Sequence, residues 1–283
     1  MKSRGALLAV VVLLVATCST GAGTSSAPAS VAPIGTTASS ARPASAEAVD
    51  LTVFAAASLK GALEKAKTVY ETANSGTKLT LSLDSSSALE TQIEQGAPAD
   101  VFLSADTTNP KKLVDGRFAT GSAVTFAGNK LAVIVPTARP AGIAKPADLA
   151  KAGVKIIAAG DAVPITKYAM QLVANLAKEP DYPPDFAARY AANIASKEDN
   201  VKAIVAKIEL GEGDAGIVYV TDAKASTKVK PIDVPDSANV PATYAGVVVM
   251  ASKHQDAATA FLSWFAGPDG QAILSSFGFL PPS

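Results

Sequence analysis

The chain has 283 residues, with 25 basic and 25 acidic side chains, and 48% of its residues are hydrophobic. This even charge balance excludes the basic face that a nucleic-acid-binding domain needs. A single cysteine and a single histidine exclude an internal disulfide framework and a Cys/His metal cluster.

Residues 1–17 predict a secretory signal peptide. Lys2 and Arg4 precede an unbroken apolar run, Ala6–Ala16, which is too short to span a bilayer as a mature helix. The run ends at V-A-T-C, which resembles the lipobox of bacterial lipoproteins, whose cysteine becomes the lipidated first residue. Cys18 is therefore a predicted lipidation site, although Thr17 stands where that motif usually has Gly, Ala or Ser. An ordinary signal peptide with an incidental cysteine is the alternative.

Residues 18–49 predict a disordered tether between this cysteine and a folded body. Nearly all of residues 19–48 are Ser, Thr, Ala, Gly or Pro, and Arg42 and Glu47 are the only charges among them. No periodic apolar face runs through such a composition. The body extends from about Asp50 to Ser283, which is enough for one large domain or two modest lobes.

Within the body, strand patterns alternate with helix patterns, which predicts an α/β protein with mainly parallel sheets. The predicted strands are Leu51–Ala55, Lys78–Leu83, Val101–Ser104, Lys130–Val135, Lys155–Ala159, Ala215–Tyr219, Lys228–Val234 and Tyr244–Ala251. The predicted helices are Leu59–Ala73, Ser87–Gln95, Asn109–Asp115, Pro146–Ala152, Ile165–Lys178, Pro184–Ala192, Asn200–Gly211, Ala257–Phe265 and Gly270–Ser276. The long strands that begin at Lys130 and Tyr244 are candidates for crossings between two lobes.

The stretch Leu51–Leu63 joins a buried strand to a helix through small residues. Val53 and Phe54 favour a strand, three alanines follow, and Ser58 stands where the apolar residues take up helical spacing. A helix N-terminus attracts anions through its free N–H groups and the positive end of its dipole. Ser58 is therefore a candidate anion ligand, and a simple helix cap is the alternative.

A second corner of this kind lies at Asp84–Ser87, where the next predicted strand ends. Ser87 and Glu90 have the S-x-x-E spacing of a capping box, which predicts that a helix begins there. Because consecutive parallel strands often lie side by side, the two serine-bearing corners are expected to lie together.

Further polar corners follow in the second half of the chain. Pro164 stands in a first-turn position of a predicted helix, and Asn200 is placed to cap a helix that ends at Gly211. Tyr219 lies at the carboxyl end of its strand, where ligands of open α/β sheets gather. Its hydroxyl can donate to a ligand; simple packing at a sheet edge is the alternative.

Catalytic machinery is not visible in the sequence. The chain has no G-x-S-x-G elbow, no P-loop, no G-x-G-x-x-G and no evident carboxylate pair. His254 lies just before a predicted helix and is interpreted as a surface residue. The sequence therefore predicts a binding protein rather than an enzyme.

Five segments resemble the molybdate-binding lipoproteins and periplasmic proteins that serve molybdate ABC importers. They are T-V-F-A-A-A-S-L (52–59), S-S-A-L-E-T-Q-I-E-Q-G-A-P-A-D-V-F-L-S-A-D (86–106), A-G-I-V-Y-V-T-D-A (215–223), G-P-D-G-Q-A-I-L (267–274) and F-G-F-L-P-P (277–282). The resemblance implies a two-lobed, type II periplasmic-binding fold with a hinge. It places residues 50–129 and 250–283 in the first lobe and residues 130–249 in the second.

The resemblance also implies a ligand and the residues that bind it. Ser58 and Ser86 supply hydroxyls from the first lobe, and the second lobe supplies backbone N–H groups at Ile165 and Val201 and the hydroxyl of Tyr219. Molybdate is a proton-free dianion near neutral pH, so it needs donors and no acceptors. Tungstate has the same shape and charge and is expected to bind too, without a cofactor or a cation.

The implied partner is the membrane permease of an ABC importer, and the implied location is extracytoplasmic, with the protein a monomer anchored to the membrane through Cys18. Asp84 stands where the family usually has a small neutral residue. A carboxylate facing the cleft would accept the proton of phosphate and repel a proton-free dianion. Phosphate, sulfate and, as a separate class, an extracytoplasmic enzyme on the same fold therefore stay open as alternatives.

Overall fold

A computed structural model describes residues 48–138 and 141–282. The predicted signal peptide, the predicted lipidation site Cys18 and almost all of the predicted tether lie outside the described residues. The folded body begins at Val49, one residue before the predicted boundary, because the first strand already includes it.

In the described ranges the strands are Val49–Ala56 (β1), Thr77–Asp84 (β2), Val101–Ser104 (β3), Ala119–Asn129 (β4), Leu131–Pro136 (β5), Ile156–Ala159 (β6), Ile194–Glu198 (β7), Ala215–Tyr219 (β8), Val229–Ile232 (β9) and Ala242–Val249 (β10). The α-helices are Lys60–Ala73 (α1), Ser86–Glu94 (α2), Thr108–Asp115 (α3), Pro164–Leu176 (α4), Phe186–Ala192 (α5), Val201–Leu210 (α6), Val220–Lys224 (α7), Gln255–Ala266 (α8) and Pro268–Ser276 (α9). Two short 3-10 turns, Ala57–Leu59 and Pro146–Ala150, complete the order.

The strands form two five-stranded sheets, one in each lobe. The first has the order β2-β1-β3-β10-β4 and the second has the order β7-β6-β8-β5-β9. In each sheet the first three strands are parallel and the other two pairings are antiparallel. The prediction of mainly parallel sheets is therefore wrong in this detail: both sheets are mixed.

The chain passes twice between the lobes, and every antiparallel pairing includes a strand that borders one of these crossings. It leaves the first sheet at the end of β4 and enters the second at β5, with only Lys130 between them. It returns between β9 and β10. Strand β10 pairs with β3 and β4, so residues 242–249 belong to the first sheet. The predicted lobe boundary at residue 250 was therefore placed too late, after this strand instead of before it.

Helices cover both faces of the first sheet, because successive strand residues point to opposite sides. Val53 and Leu103 face the larger core together with α1 and α8, whereas Phe54 and Phe102 face a smaller core with α2 and α3. None of the helices in the described residues combines the length and the hydropathy that a membrane span requires.

Two strands and one helix were not predicted. Strand β4 has a run of exposed residues from 120 to 125 and β7 alternates only between half-buried and exposed positions, so neither shows a strong apolar pattern. Helix α7 has five residues, which is too few to display a helical period. The predicted helix Pro146–Ala152 is a 3-10 turn.

Candidate functional site

In the first lobe, the carboxyl ends of three adjacent parallel strands form one wall of a cavity. Strand β1 ends at Ala56 and leads to Ser58, β2 ends at Asp84 and leads to Ser85 and Ser86, and β3 leads to Ala105; all of these residues line the cavity. The predicted approach of the two serine-bearing corners is confirmed, because β1 and β2 pair along their whole lengths.

The second lobe builds the opposite wall from the equivalent places in its own sheet. The connection after β6 brings Val163, Pro164 and Ile165 to the cavity, β7 leads to Asn200 and Val201, and β8 ends at Tyr219. All five residues predicted to bind the ligand, namely Ser58, Ser86, Ile165, Val201 and Tyr219, therefore line a single cavity.

This cavity is small and lies between the lobes. About 20 Å³ is open to the centre of a water molecule, little more than the roughly 10–15 Å³ that a single buried water requires. The five predicted residues are all buried. Such a space suits a ligand of a few atoms rather than a sugar or a nucleotide.

The hydroxyls of the first wall already make contacts. Ser86 Oγ accepts a hydrogen bond from the backbone N–H of Ala105 at 3.0 Å, which leaves the hydroxyl proton of Ser86 available to a ligand. Ser58 Oγ lies 3.0 Å from the hydroxyl of Tyr244, which belongs to β10. Sequence reasoning did not identify Tyr244, since this contact joins residues 186 positions apart.

Helix α2 is capped differently from the prediction. Its N-cap is Ser85, whose Oγ accepts a hydrogen bond from the N–H of Ala88 at 3.4 Å. The predicted capping box between Ser87 and Glu90 is wrong, because the helix begins one residue earlier and Glu90 is buried within 3.4 Å of Lys112 Nζ. The earlier start puts Ser86 in the first helical position, at the cavity.

Two helices of the second lobe begin at the cavity. Helix α4 starts at Pro164, which has no N–H, so Ile165 carries its first backbone donor. Helix α6 starts at Val201 and is capped by Asn200, whose Oδ1 accepts from the N–H of Ala203 at 3.1 Å. The N–H groups of a first turn have no acceptor in their own helix, and Ile165 and Val201, which carry two such groups, both line the cavity.

Tyr219 carries the most informative polar atom of the site. Its side chain is 1% exposed, and its hydroxyl has no hydrogen-bond partner among the described residues. Its ring lies between those of Tyr168 and Tyr244, at centroid distances of 6.3 and 5.6 Å. Burial raises the pKa of Tyr219 well above its ordinary value, so the hydroxyl keeps its proton and is a donor.

An ion pair between a partly exposed lysine and a buried carboxylate joins helix α6 to helix α7. Lys202 Nζ lies 2.8 Å from Asp222 Oδ1, and the Asp222 side chain is fully buried. Burial raises the pKa of Asp222, while the Lys202 ammonium acts in the opposite direction. The pair fixes the start of α6, which carries Val201, relative to the strand end that carries Tyr219.

Asp84 contributes the only charged side chain among the described residues that line the cavity. Its Oδ1 accepts hydrogen bonds from the N–H of Ser85 at 2.7 Å and from Asn200 Nδ2 at 3.0 Å. Elsewhere in the described ranges, no cluster of His, Cys, Asp and Glu could hold a metal ion. The lining thus offers several donors, one carboxylate and no cation.

Comparisons with known proteins agree with this architecture. A family model described as bacterial extracellular solute-binding protein matches residues 51–280. The molybdate-binding protein ModA of Mycobacterium tuberculosis is 30% identical over 233 residues, which are 82% of this chain and 85% of that protein. ModA of Escherichia coli is 31% identical over 240 residues, which are 81% of this chain and 88% of that protein.

Comparison with a solved structure leads to the same conclusion about fold and family. The periplasmic molybdate-binding protein of Azotobacter vinelandii superposes with a TM-score of 0.68 at 26% identity, covering 82% of this chain and 100% of that one. The family resemblance and the two-lobed α/β fold class predicted from the sequence are therefore confirmed.

Proposed function

Because this chain belongs to the family of bacterial extracellular solute-binding proteins, we propose that it captures molybdate outside the cytoplasm for the membrane permease of an ABC importer. The molybdate-binding relatives support this ligand, since they match more than four fifths of the chain. Tungstate is the second ligand, because it presents the same tetrahedral dianion to the same donors. The family is one of solute-binding proteins, and the proposed role of this chain includes no enzymatic step.

The observation that carries the proposal is the buried, unpartnered hydroxyl of Tyr219 in a cavity lined by donors. Leaving a buried polar group unpaired costs about 1–3 kcal/mol, and a bound oxyanion removes that cost by accepting a hydrogen bond from the hydroxyl. Ser58 and Ser86 add hydroxyls, and Ile165 and Val201 add N–H groups.

The dianion is held without a cation of the protein. Helices α2, α4 and α6 each begin at the cavity, and the positive ends of their dipoles give diffuse positive potential. Each hydrogen bond to a charged group is worth about 1.5–3 kcal/mol, so several of them in a small closed site support tight binding. Neutral donors also leave the proton-free state of the ligand undisturbed.

The remaining parts of the proposal concern location and assembly. The N-terminal signal and the V-A-T-C sequence support attachment to the outer face of the membrane through a lipidated Cys18. The protein acts there as a monomer, on a tether that lets the body reach the permease.

Thermal unfolding of the purified protein with molybdate, tungstate, sulfate or phosphate tests the ligand. A ligand present at 100 times its Kd stabilises the folded state by about 2.7 kcal/mol, which raises the Tm by about 5–10 °C for a domain of this size. We expect this rise with molybdate and tungstate. Tyr219→Phe and Ser58→Ala should reduce it, whereas Ser75→Ala, at an exposed turn, should not.

One observation favours a different oxyanion. Asp84 lines the cavity, and a carboxylate there is an acceptor for a protonated ligand such as hydrogen phosphate. A rise in Tm with phosphate and none with molybdate would replace the first proposal with this one. A rise with sulfate alone would indicate that cavity size, rather than Asp84, selects the ligand.

A further inference from the structure

Asp84 and Asn200 stand on opposite walls of the cavity and touch each other. Asp84 ends strand β2 in the first lobe, and Asn200 caps helix α6 in the second. Asn200 Nδ2 donates to Asp84 Oδ1 at 3.0 Å across the gap between the lobes. Any movement that opens the cavity between these walls must break this bond.

Both polar atoms of the Asn200 side-chain amide form hydrogen bonds. Its Oδ1 accepts from the N–H of Ala203 in the first turn of α6, while its Nδ2 reaches Asp84. The Asp84 oxygen that receives it also accepts the N–H of Ser85, the residue that caps α2. The two side chains therefore join the N-termini of α2 and α6, which carry Ser86 and Val201.

Other hydrogen bonds also join the lobes, but they lie beside the two chain crossings. Asn129, the last residue of β4, donates to Thr221 Oγ1 at 2.8 Å. Tyr168 of α4 interacts with the backbone of Thr243, which follows the return crossing. These contacts lie close to the segments about which a hinge would turn, whereas the Asp84–Asn200 bond lies at the cavity itself.

The charge of Asp84 disfavours a direct contact with molybdate. A proton-free dianion in this cavity is repelled by a carboxylate, and nothing in the ligand can donate to it. The carboxylate is useful because a hydrogen bond to a charged acceptor is roughly twice as strong as one between neutral groups. The carboxylate therefore weakens the attraction of the cavity for the anion but strengthens the hydrogen bond between the two walls.

We propose that Asp84 and Asn200 form an interlobe latch that sets how slowly the bound oxyanion leaves. This inference rests on the proposed function for its ligand, but the bond itself joins two side chains of the protein. With the latch intact, the closed state is favoured and dissociation is slow. Without it, association still brings the anion to the same donors, but the cavity opens more readily.

Matched variants separate the latch from the charge. Asp84→Asn and Asp84→Ala both remove the charge, but only the asparagine keeps an acceptor for Asn200. Asn200→Ser keeps a good helix cap and removes the donor that reaches Asp84. Molybdate affinity and dissociation rate are measured for each variant of Asp84, with Asn200 present and with serine in its place. Thermal unfolding without ligand confirms that each variant folds.

With Asn200 present, we expect Asp84→Asn to bind molybdate about tenfold more tightly than Asp84→Ala, with the difference in the dissociation rate. In the Asn200→Ser background the two should bind equally. Equal affinities with Asn200 present would overturn the latch while leaving the proposed function intact.

If the wild-type protein binds none of the four oxyanions, the proposed function fails, and the latch is then judged in the unliganded protein. The same four variants would be compared by their unfolding free energies. The latch predicts that the stability difference between Asp84→Asn and Asp84→Ala is larger with Asn200 than with serine at that position, because the bond to the N–H of Ser85 contributes in both backgrounds. The same difference in both backgrounds would overturn it.

Discussion

The two walls of the cavity present donors to the same space with different groups. In the first lobe the donors are side-chain hydroxyls, those of Ser58 and Ser86. In the second lobe they are the N–H groups of two aliphatic residues, Ile165 and Val201, and a single tyrosine hydroxyl. Each wall is made from the carboxyl ends of three adjacent parallel strands, so the scaffold is alike and only the chemistry differs.

This difference decides how each wall tolerates substitution. A hydroxyl donor is lost when its side chain changes, whereas a backbone donor survives almost any replacement. The first wall should therefore be sensitive to single-atom changes. The second should be sensitive only at Tyr219 or where a substitution removes an N–H group.

The largest effect is expected for Ser86→Ala in the first wall. The change removes a ligand donor and leaves the buried N–H of Ala105 without the acceptor that it has at 3.0 Å. Molybdate affinity should fall about 10- to 100-fold, and the free energy of unfolding should fall by about 1–3 kcal/mol. Titration calorimetry and denaturant unfolding measure the two. Ser87→Ala, in the same cluster but outside the cavity lining, is the control and should bind normally.

Tyr219→Phe should weaken binding without weakening the fold. The hydroxyl has no partner in the described structure, so its removal leaves nothing else unpaired, and the stability of the unliganded protein should stay the same or rise. Affinity should fall about tenfold or more, because one hydrogen bond to a charged ligand is lost. Unchanged affinity in this variant would remove Tyr219 from the site.

Val201→Pro tests a backbone donor directly. Proline is well accepted in the first position of a helix and has no N–H, and Pro164 already occupies that position in α4. We expect affinity to fall about tenfold with the helix retained. Val201→Ala keeps the N–H and should bind nearly as well as wild type. Equal losses in both variants would show that the side chain matters instead.

A smaller effect is expected for Ile165→Val. The side chain is buried, so the loss of one methylene should lower the free energy of unfolding by about 0.5–1.5 kcal/mol. Molybdate affinity should be almost unchanged, because the proposed donor at residue 165 is its N–H, which the substitution keeps. A large loss of affinity would mean that the aliphatic side chain shapes the cavity.

The smallest effect should appear only in alkali. Burial raises the pKa of Tyr219 above its ordinary value, so the unfolded chain releases this proton at lower pH than the folded protein does. The tyrosine therefore lowers stability progressively as the pH rises above about 10. Melting temperatures of wild type and Tyr219→Phe, compared between about pH 8 and pH 11, should diverge in favour of phenylalanine. Parallel curves would contradict the shift.

The sequence predicted those cavity residues whose positions follow from the strand and helix patterns next to them in the chain. Ser58 and Ser86 follow strands and Tyr219 is the last residue of one, and the strand ends could be located from apolar periodicity. The partners of these residues could not be found in this way. Tyr244 meets Ser58 through the antiparallel strand β10, and Asn200 meets Asp84 only when the two lobes come together.

The errors of the predicted fold have a common physical cause. Strand β4 exposes residues 120–125 and is held by backbone pairing with β10, which includes two register shifts. Backbone hydrogen bonds can form between almost any residue types. The sequence pattern therefore predicted neither this strand nor the antiparallel pairings in the two sheets. The helix cap was assigned to Ser87 instead of Ser85 for a different reason: a serine caps a helix equally well at either position, so residue type does not distinguish them.

Strand β10 also determines the order in which the molecule can be completed during synthesis. The second sheet uses strands between residues 131 and 232 only, whereas the first cannot join β4 to β3 until residues 242–249 are available. Contacts between distant parts of a chain form late because their loops are costly to close. The first lobe, which the ribosome begins first, is therefore completed last. In a nascent chain that ends before residue 242, the first wall of the cavity has an incomplete sheet behind it.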